Sequence, residues 1–329
     1  MSARATFKNL IIKSLNRLRR WMHFGLDTSI ADQGLLLGKM ASWQVRQMLV
    51  LSTLQDAEFK VSSQWGEDGI IDWLIERAQI PPCAQSFIEL GVESYIEANT
   101  RFLLQNRGWR GLIIDGSDAM VEKTKREGFH WKYDFAAKPA FITRENVNSL
   151  IADAGFSGEI GLLSVDLDGN DYWIWEAIDV VRPILCICEY NAVFGDIHLI
   201  SVLYAPDFFR TKAHYSNLYF GASIAALCSL AAKKGYRFVG STTAGNDAFF
   251  VREDYAQHFV DSSIKRIEAL PSRARESRDP SGDPTYVGKL ERLQLISAMP
   301  VVNTATGEIS KISDLGPVYS DEWLAAMMA

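Results

Sequence analysis

The feature that most constrains the fold is a series of unbroken apolar runs that alternate with amphipathic segments between residues 86 and 254. Runs such as Gly-Leu-Ile-Ile at 111–114 and Ile-Leu-Cys-Ile-Cys at 184–188 are typical of strands that are buried on both faces. Strands of this kind that alternate with helices form parallel sheets with right-handed crossovers. The sequence therefore predicts an α/β protein built on a doubly wound, mostly parallel, Rossmann-like sheet.

The same alternation predicts where the strands and helices lie. The expected parallel strands cover residues 87–92, 111–115, 131–135, 160–167 and 184–189. The expected helices cover residues 97–106, 119–127, 144–154, 172–178 and 222–234. Two further strands, at 236–240 and 247–252, are joined by six residues, a connection short enough for a hairpin. Because a hairpin pairs its strands antiparallel, we expect one reversed strand near the edge of the sheet.

An N-terminal extension, residues 1–60, precedes the predicted domain at 61–254. Apolar residues recur at three- and four-residue steps from Phe7 to Met22, with basic residues largely on the other side, which predicts a basic amphipathic helix. Residues 1–50 carry eight basic and two acidic residues, a net charge of +6, although the whole chain carries -6. Such a helix can lie on an anionic membrane or a partner, or pack on its own domain, and the pattern leaves these alternatives open.

Two weaker patterns complete the organisation of the chain. A second helix is predicted in the N-terminal extension, over residues 42–54. The C-terminal extension, residues 255–329, is predicted to hold helices at 264–270 and 287–296 and a small hairpin near Asn303. The sequence leaves open whether this extension is a lid, an arm of a homo-oligomer or part of the packed core.

Charge and cysteine content narrow the class of ligand and the compartment. The net charge of -6 disfavours nucleic acid as the main ligand, because the molecule as a whole repels phosphate backbones. Four cysteines in 329 residues are too few for a disulfide framework, which fits a reducing compartment. No apolar run reaches the roughly 18 residues that a membrane span needs. We therefore expect a cytoplasmic protein, for which peripheral contact with a membrane through the basic helix stays an open alternative.

Acidic residues and a lone glycine follow the first two strands. In doubly wound sheets, ligands bind beyond the carboxyl ends of the strands, where Glu89, Gly91 and Asp115 are expected. A carboxylate placed like Asp115 can accept hydrogen bonds from ribose hydroxyls, which predicts an adenosine-containing cofactor, although it can also be a solvated strand end. Glu93 stands where a pyrophosphate loop needs close backbone approach. The loop therefore favours a cationic cofactor such as S-adenosylmethionine over a dinucleotide.

Several motifs in this region resemble one enzyme family. They are Ser-Gln-Trp-Gly-Glu-Asp at 63–68, Phe-Ile-Glu-Leu-Gly followed by Asn-Thr at 87–100, Gly-Trp-Arg-Gly at 108–111, and Ser-Val-Asp-Leu-Asp-Gly at 164–169. In this order they resemble class I S-adenosylmethionine-dependent methyltransferases of the FkbM type, over about residues 61–254. The chain departs from that pattern at Glu93 and Tyr95, which replace glycines, and at Asp168, which replaces a glutamate.

The resemblance and the strand ends together nominate a set of cofactor-binding residues. These are Gln64, Glu89, Gly91, Glu93, Ser94, Asn99, Thr100, Asp115, Gly116, Ser117, Asp134 and Asp166. The resemblance implies an O-methyltransferase that acts on a sugar or polyol hydroxyl, in polysaccharide or secondary-metabolite biosynthesis. The altered glycine loop leaves one alternative, a non-catalytic relative of these enzymes that serves as a docking or assembly module.

The ends of the fourth and fifth strands carry the densest polar cluster. Adjacent strand ends meet in such a sheet, so Asp168, Glu189 and Asn191 are expected to converge. Their oxygen atoms could ligate Mg²⁺, or Asp168 and Glu189 could serve as a general base. The aromatic loop that follows could hold a sugar-like acceptor, with His214 as a further candidate base or as a packing residue. The sequence thus predicts a catalytic floor made of Asp168, Glu189 and Asn191, with His214 as a further candidate catalytic residue.

Overall fold

The computed structural model of this protein describes residues 29–328 and is organised around one seven-stranded sheet. The strand order is β3-β2-β1-β4-β5-β8-β7. The strands β1 to β5 pair in parallel, and β8 pairs antiparallel with both β5 and β7, so six strands run in one direction and β8 is the one reversed strand of the sheet. These strands are β1 (Ser86–Leu90), β2 (Arg110–Asp115), β3 (Phe135–Pro139), β4 (Gly158–Val165), β5 (Val181–Glu189), β7 (Tyr236–Ser241) and β8 (Asp247–Arg252).

Helices cover both faces of this sheet. The first, α1, includes residues 29–47. The others are α2 (Glu67–Ala78), α3 (Arg101–Arg107), α4 (Asp118–Arg126), α5 (Val147–Asp153), α6 (Asp171–Ala177), α7 (Arg210–Ala213), α8 (Ile224–Lys234), α9 (Glu253–Ala256), α10 (Val260–Ser263), α11 (Lys289–Ile296) and α12 (Asp321–Met328). Among the described residues, none of these helices is long and apolar enough to cross a membrane.

The predicted fold class is confirmed by this topology. Side chains of β1, β4 and β5 alternate between two separate buried clusters on the two faces of the sheet, as their unbroken apolar runs require. The hairpin of β7 and β8 lies at the edge of the sheet, as the six-residue connection predicts, with the reversed strand β8 next to the edge strand β7. The fold is therefore a doubly wound, mostly parallel α/β sheet closed by an antiparallel hairpin, the architecture expected of a class I methyltransferase.

A second, small sheet belongs to the C-terminal extension. It pairs β10 (Ile309–Lys311) with β9 (Pro300–Asn303), which confirms the hairpin predicted near Asn303, and β9 pairs with the two-residue strand β6 (Ile200–Ser201). Side chains from β6, β9 and α11 share a third buried cluster. Residues from this extension therefore pack on the long connection between β5 and α8, above the carboxyl ends of the strands.

Three local predictions are wrong, each for an identifiable reason. The third strand begins at Phe135 because residues 129–131 form a 3-10 turn instead of its start. No helix covers 264–270, since Ile264 bridges Leu51 and the N–H of Lys265 donates to the carbonyl of Leu51 at 3.1 Å. That contact also ends α1 at residue 47, before the predicted end at 54. The predicted helix over residues 7–22 lies outside the described residues.

Candidate functional site

A cavity of about 1050 Å³ opens over the carboxyl ends of the parallel strands. It is lined by the loops after β1, β2, β4 and β5, by α7, and by residues of the C-terminal extension. This is where a doubly wound sheet binds its ligand, and the volume suffices for a cofactor and an acceptor together. The cavity is therefore the candidate active site.

The loop after β1 keeps a glycine-like backbone even where its glycines are replaced. Gly91 has φ +80, and a Cβ at this position would lie 1.7 Å from the carbonyl oxygen of Asp166. Glu93 and Tyr95, the two departures from the family pattern, have φ 46 and 55, in the left-handed region that favours glycine. Tyr95 is buried and stacks on Phe135, whereas Glu93 is exposed to the cavity. The loop thus combines the usual backbone path with an added negative charge.

Glu89 holds this loop in place from the end of β1. Its buried carboxylate accepts the N–H groups of Asn99 and Thr100 at 2.8 and 3.0 Å, and also the Thr100 hydroxyl. These bonds hold residues 99 and 100 in a non-helical turn, so α3 starts at Arg101 and not at the predicted residue 97. Burial raises the pKa of Glu89 to about 7. Glu89 lines the cavity, but its acceptor sites face the protein's own backbone.

Asp115 links the loops after β1 and β2. Its carboxylate accepts the N–H groups of Val92 at 3.1 Å, Glu93 at 2.8 Å and Ser117 at 2.8 Å. A carboxylate offers about four acceptor sites, so about one remains for a ligand hydroxyl. Asp115 lines the cavity at the end of β2, where the sequence predicts a ribose contact.

Most of the other predicted cofactor-binding residues line the same cavity. These are Gln64, Ser94, Asn99, Gly116, Ser117 and Asp166, together with Gly91 and Glu93. Thr100 does not, because it is buried beneath the loop against Glu89. Asp134 stands directly before β3, at the amino end of the strand and away from the carboxyl ends that line the cavity. Its side chain is 78% exposed and pairs with Arg110 at 3.5 Å. That location does not fit the predicted cofactor contact of Asp134.

Three carboxylates converge at the ends of β4 and β5. One oxygen from each of Asp166, Asp168 and Glu189 lies within 4.8 Å of the other two. Buried Asp171 shapes the loop that carries them, since it accepts the N–H groups of Leu167 at 2.6 Å and Gly169 at 2.9 Å. The predicted neighbourhood of Asp168 and Glu189 is thus present, and Asp166 joins it.

The electrostatics of this cluster are set by burial and by like charges. Burial, reinforced by the neighbouring carboxylates, raises the pKa of Asp166 and of Glu189 well above their ordinary values. Asp168 is the most exposed of the three and pairs with Arg210, whose Nη1 lies 2.6 Å from Asp168 Oδ1. The guanidinium also stacks over the ring of Phe220 at 3.9 Å from its centroid. The cluster therefore combines two carboxyl groups of raised pKa with one that is paired to a guanidinium.

Two residues predicted for the site, Asn191 and His214, are placed differently. The Asn191 side chain accepts the N–H of Val193 and donates to the carbonyls of Leu218 and Phe220, so its amide is committed to the backbone. His214 does not line the cavity, and its ring hydrogen-bonds the Ser216 hydroxyl at 2.7 Å. Burial lowers the pKa of His214. Their positions do not fit the predicted roles of metal ligand and catalytic base.

The donor set around Asp168 meets the chemical requirement for a divalent cation only in part. Oxygen ligands at this spacing suit Mg²⁺, and Asp166, Asp168 and Glu189 could hold one. Arg210, however, already supplies a positive charge to Asp168. The negative charge of the three carboxylates can therefore be compensated by a metal ion or by the guanidinium of Arg210.

Sequence reasoning missed several residues that complete the cavity. Asp247 at the start of β8 lines it, is only 3% exposed and leaves Oδ1 without a hydrogen-bond partner among the described residues. Arg210, Arg278 and Arg292 come from α7 and the C-terminal extension. No periodic pattern marks these positions, because long-range folding brings them to the strand ends. Altogether the lining holds nine carboxyl groups and three guanidinium groups.

No protein-family model and no curated protein matches this chain. Among solved structures, the N-terminal domain of EvdMO1 with SAH bound is 12% identical, with a TM-score of 0.37 over 65% of this chain and 93% of that chain. A S-adenosylmethionine-dependent methyltransferase from Clostridium acetobutylicum ATCC 824 is 9% identical, with a TM-score of 0.35 over 56% of this chain and 90% of that chain.

The mitomycin 7-O-methyltransferase MmcR is 14% identical to this chain, with a TM-score of 0.32 over 56% of this chain and 55% of the enzyme. Similarities this low carry no conclusion about activity. The fold class rests on the strand order and on the reversed strand β8, and the resemblance to the FkbM type stays a prediction.

Proposed function

We propose that this protein is an S-adenosylmethionine-dependent O-methyltransferase that acts on a sugar or polyol hydroxyl. The observation that carries the proposal is the cavity over the strand ends, which Asp115, Gly91 and the Asp168 cluster line together. A cofactor half and an acceptor half can be assigned to different loops of this one cavity.

The cofactor half is formed by the loops after β1 and β2. Gly91 allows the backbone to approach β4 closely, and Asp115 keeps about one acceptor site for a ribose hydroxyl. Nine carboxyl groups against three guanidinium groups disfavour a pyrophosphate and favour a ligand with positive charge. The carboxyl groups of the cavity therefore suit the positively charged amino and sulfonium groups of S-adenosylmethionine.

The acceptor half combines carboxylates with aromatic walls. Phe208, Phe209 and Phe220 line it beside the Asp168 cluster, and aromatic faces next to polar groups suit a sugar ring. When bound, the cofactor supplies an electrophilic methyl group. The protein has to orient the acceptor hydroxyl, exclude water and accept its proton as the O–CH₃ bond forms. We assign proton acceptance to the carboxylate of Asp168, because the raised pKa of Glu189 favours its protonated form.

Two routes can activate the hydroxyl at these carboxylates. In one, Asp166, Asp168 and Glu189 would hold a Mg²⁺ ion, which would supply a lower pKa to the hydroxyl. In the other, no metal is used, and Asp168, which is paired with Arg210, accepts the proton. The ion pair at 2.6 Å favours the second route. Activity that survives EDTA supports it, whereas loss of activity with recovery on Mg²⁺ addition supports the metal.

The proposal is tested by methyl transfer. Full-length protein is incubated with S-adenosylmethionine carrying a labelled methyl group and with a panel of neutral sugars, polyols, uronic acids and sugar phosphates. We expect label in at least one acceptor and formation of an equal amount of S-adenosylhomocysteine. Glu93 and Tyr95 at the glycine positions favour the rival function, a docking module without activity. Cofactor binding without any transfer would support that rival.

We further propose that the N-terminal region contacts an anionic membrane surface. Residues 1–50 carry a net charge of +6, and α1 exposes large apolar side chains. Positive charge next to exposed apolar groups is the combination by which peripheral helices bind anionic lipid.

A further inference from the structure

The charges that line the cavity are segregated by the part of the chain that supplies them. Most of the carboxylates belong to the strand ends and the loops that follow them, on the floor of the cavity. The three guanidinium groups belong to the wall that α7 and the C-terminal extension form, which also carries Glu276, and one of them, Arg210, reaches the floor to pair with Asp168. Such a cavity can accommodate a cationic group near the sheet and an anionic group near the extension.

Arg292 is the most informative residue on that wall. It lies on α11, lines the cavity and is only 8% exposed. Its Nε has no hydrogen-bond partner, and its side chain takes part in no ion pair among residues 29–328. Burial lowers the pKa of Arg292 to about 10. A guanidinium that is buried without a partner is costly, so a ligand that supplies the missing anion would be bound favourably.

The other two arginines of the wall differ in how much of their charge is already compensated. Arg210 is paired with Asp168 at 2.6 Å and with Glu276 at 3.5 Å. Arg278 lines the cavity, is exposed, and forms no ion pair within the part of the chain that the structure describes. Arg292 and Arg278 are therefore the guanidinium groups that remain for a ligand.

We propose that the acceptor carries a carboxylate or phosphate group, which Arg292 binds with the help of Arg278. This inference rests on the proposed function, because it concerns the acceptor of that methyl transfer. A guanidinium matches the geometry of a carboxylate or a phosphate with two parallel hydrogen bonds. Together with the aromatic walls, this assigns the acceptor to the acidic sugars, and not to neutral sugars or polyols.

The experiment compares three probes by calorimetry on the full-length protein. The probes are glucuronate, glucose 6-phosphate and glucose, which separate a carboxylate and a phosphate from an uncharged sugar. We expect at least one acidic sugar to bind about tenfold or more tightly than glucose. Arg292→Met, which keeps the length of the side chain, should abolish that preference, and Arg292→Lys should retain part of it. Arg273→Met, a matched change at an exposed arginine outside the cavity, should leave it unchanged.

A parallel titration with S-adenosylhomocysteine separates this inference from the proposed function. Equal cofactor affinity in the parent and in Arg292→Met shows that the variant is folded and that the two subsites are distinct. An Arg292-dependent preference for acidic sugars in a protein that does not bind the cofactor would reject the methyltransferase and retain the anion site. The inference is overturned if neither acidic sugar binds better than glucose, or if Arg292→Met keeps the preference.

Discussion

At the residue scale, Asp168 shows how the site depends on local backbone geometry. Its φ of 53 lies in the left-handed region, which side chains other than glycine rarely adopt. Asp171 holds the loop from below through two backbone N–H groups, and Arg210 holds the carboxylate from above. Conformations of this kind persist where the surrounding structure enforces them, and they cluster at functional sites. We therefore expect Asp168 to be sensitive to even an isosteric change.

The substitution Asp168→Asn removes the charge and keeps the shape. We expect methyl transfer to the best acceptor of the panel to fall by about 100-fold or more, which is typical for loss of a general base. Cofactor affinity should stay nearly unchanged, because Asp168 lies in the acceptor half. Asp207→Asn, an exposed neighbour outside the cavity, is the control and should retain full activity. Full activity of Asp168→Asn would reject the role of Asp168 as the general base.

Glu89 predicts a pH dependence of stability with a definite sign. Its pKa is raised in the folded protein from 4.5 to about 7, so folding favours its protonated form. The contribution of Glu89 to the free energy of unfolding is fully present below pH 4.5. It is lost as the pH rises through about 7, and the loss amounts to about 3 kcal/mol.

Urea unfolding at pH 5 and pH 8 measures this difference. The parent should lose more stability between the two values than Glu89→Gln, which cannot ionise. Glu322→Gln, at an exposed position on α12, should behave as the parent does. Identical pH dependence of stability in the parent and in Glu89→Gln would contradict a raised pKa of Glu89 in the folded protein.

At the element scale, α1 has two faces with different roles. One face packs on the domain: a Cβ on Gly38 would lie 2.4 Å from Val61, and the Ser42 hydroxyl donates to Asp72 at 2.5 Å. The opposite face exposes Leu36, Leu37, Met40 and Trp43, each by 60% or more. Removing side chains from this second face should leave the packing of the helix unchanged.

Co-sedimentation with lipid vesicles tests the membrane contact of α1. The parent should pellet with vesicles of phosphatidylserine and phosphatidylcholine, and much less with phosphatidylcholine alone, because both charge and apolar area contribute. Leu37→Ser combined with Met40→Ser should greatly reduce pelleting. Tyr286→Ser, at a residue that is 60% exposed elsewhere, should pellet like the parent. A parent that does not pellet, or a double variant that pellets equally, would reject the contact.

At the scale of the whole molecule, the sheet could be predicted because its signal is local. β1, β2, β4 and β5 are buried on both faces, which leaves apolar runs in the sequence, and the short β7–β8 connection indicates the reversed strand. The meeting of Asp168 and Glu189 followed from the same topology, since adjacent parallel strands end at one edge.

The opposite wall of the cavity could not be predicted in this way. Arg210 and Arg292 are separated from the strand ends by long connections, and their positions depend on how the C-terminal extension packs. Asn191 and His214 were misjudged because sequence position shows proximity to a strand end but not the hydrogen bonds that a side chain makes there. The Asn191 amide bonds carbonyls of Leu218 and Phe220, far along the chain, whereas the His214 ring bonds Ser216, two residues away.

Calorimetric titration of the full-length protein with S-adenosylhomocysteine tests directly whether the cavity binds this cofactor. We predict saturable binding to the parent and an affinity lower by about tenfold or more in Asp115→Ala, because that change removes the remaining acceptor site and releases the loop. Asp118→Ala, an exposed carboxylate on α4 outside the cavity, should bind like the parent. A folded parent protein that does not bind S-adenosylhomocysteine would contradict the central claim.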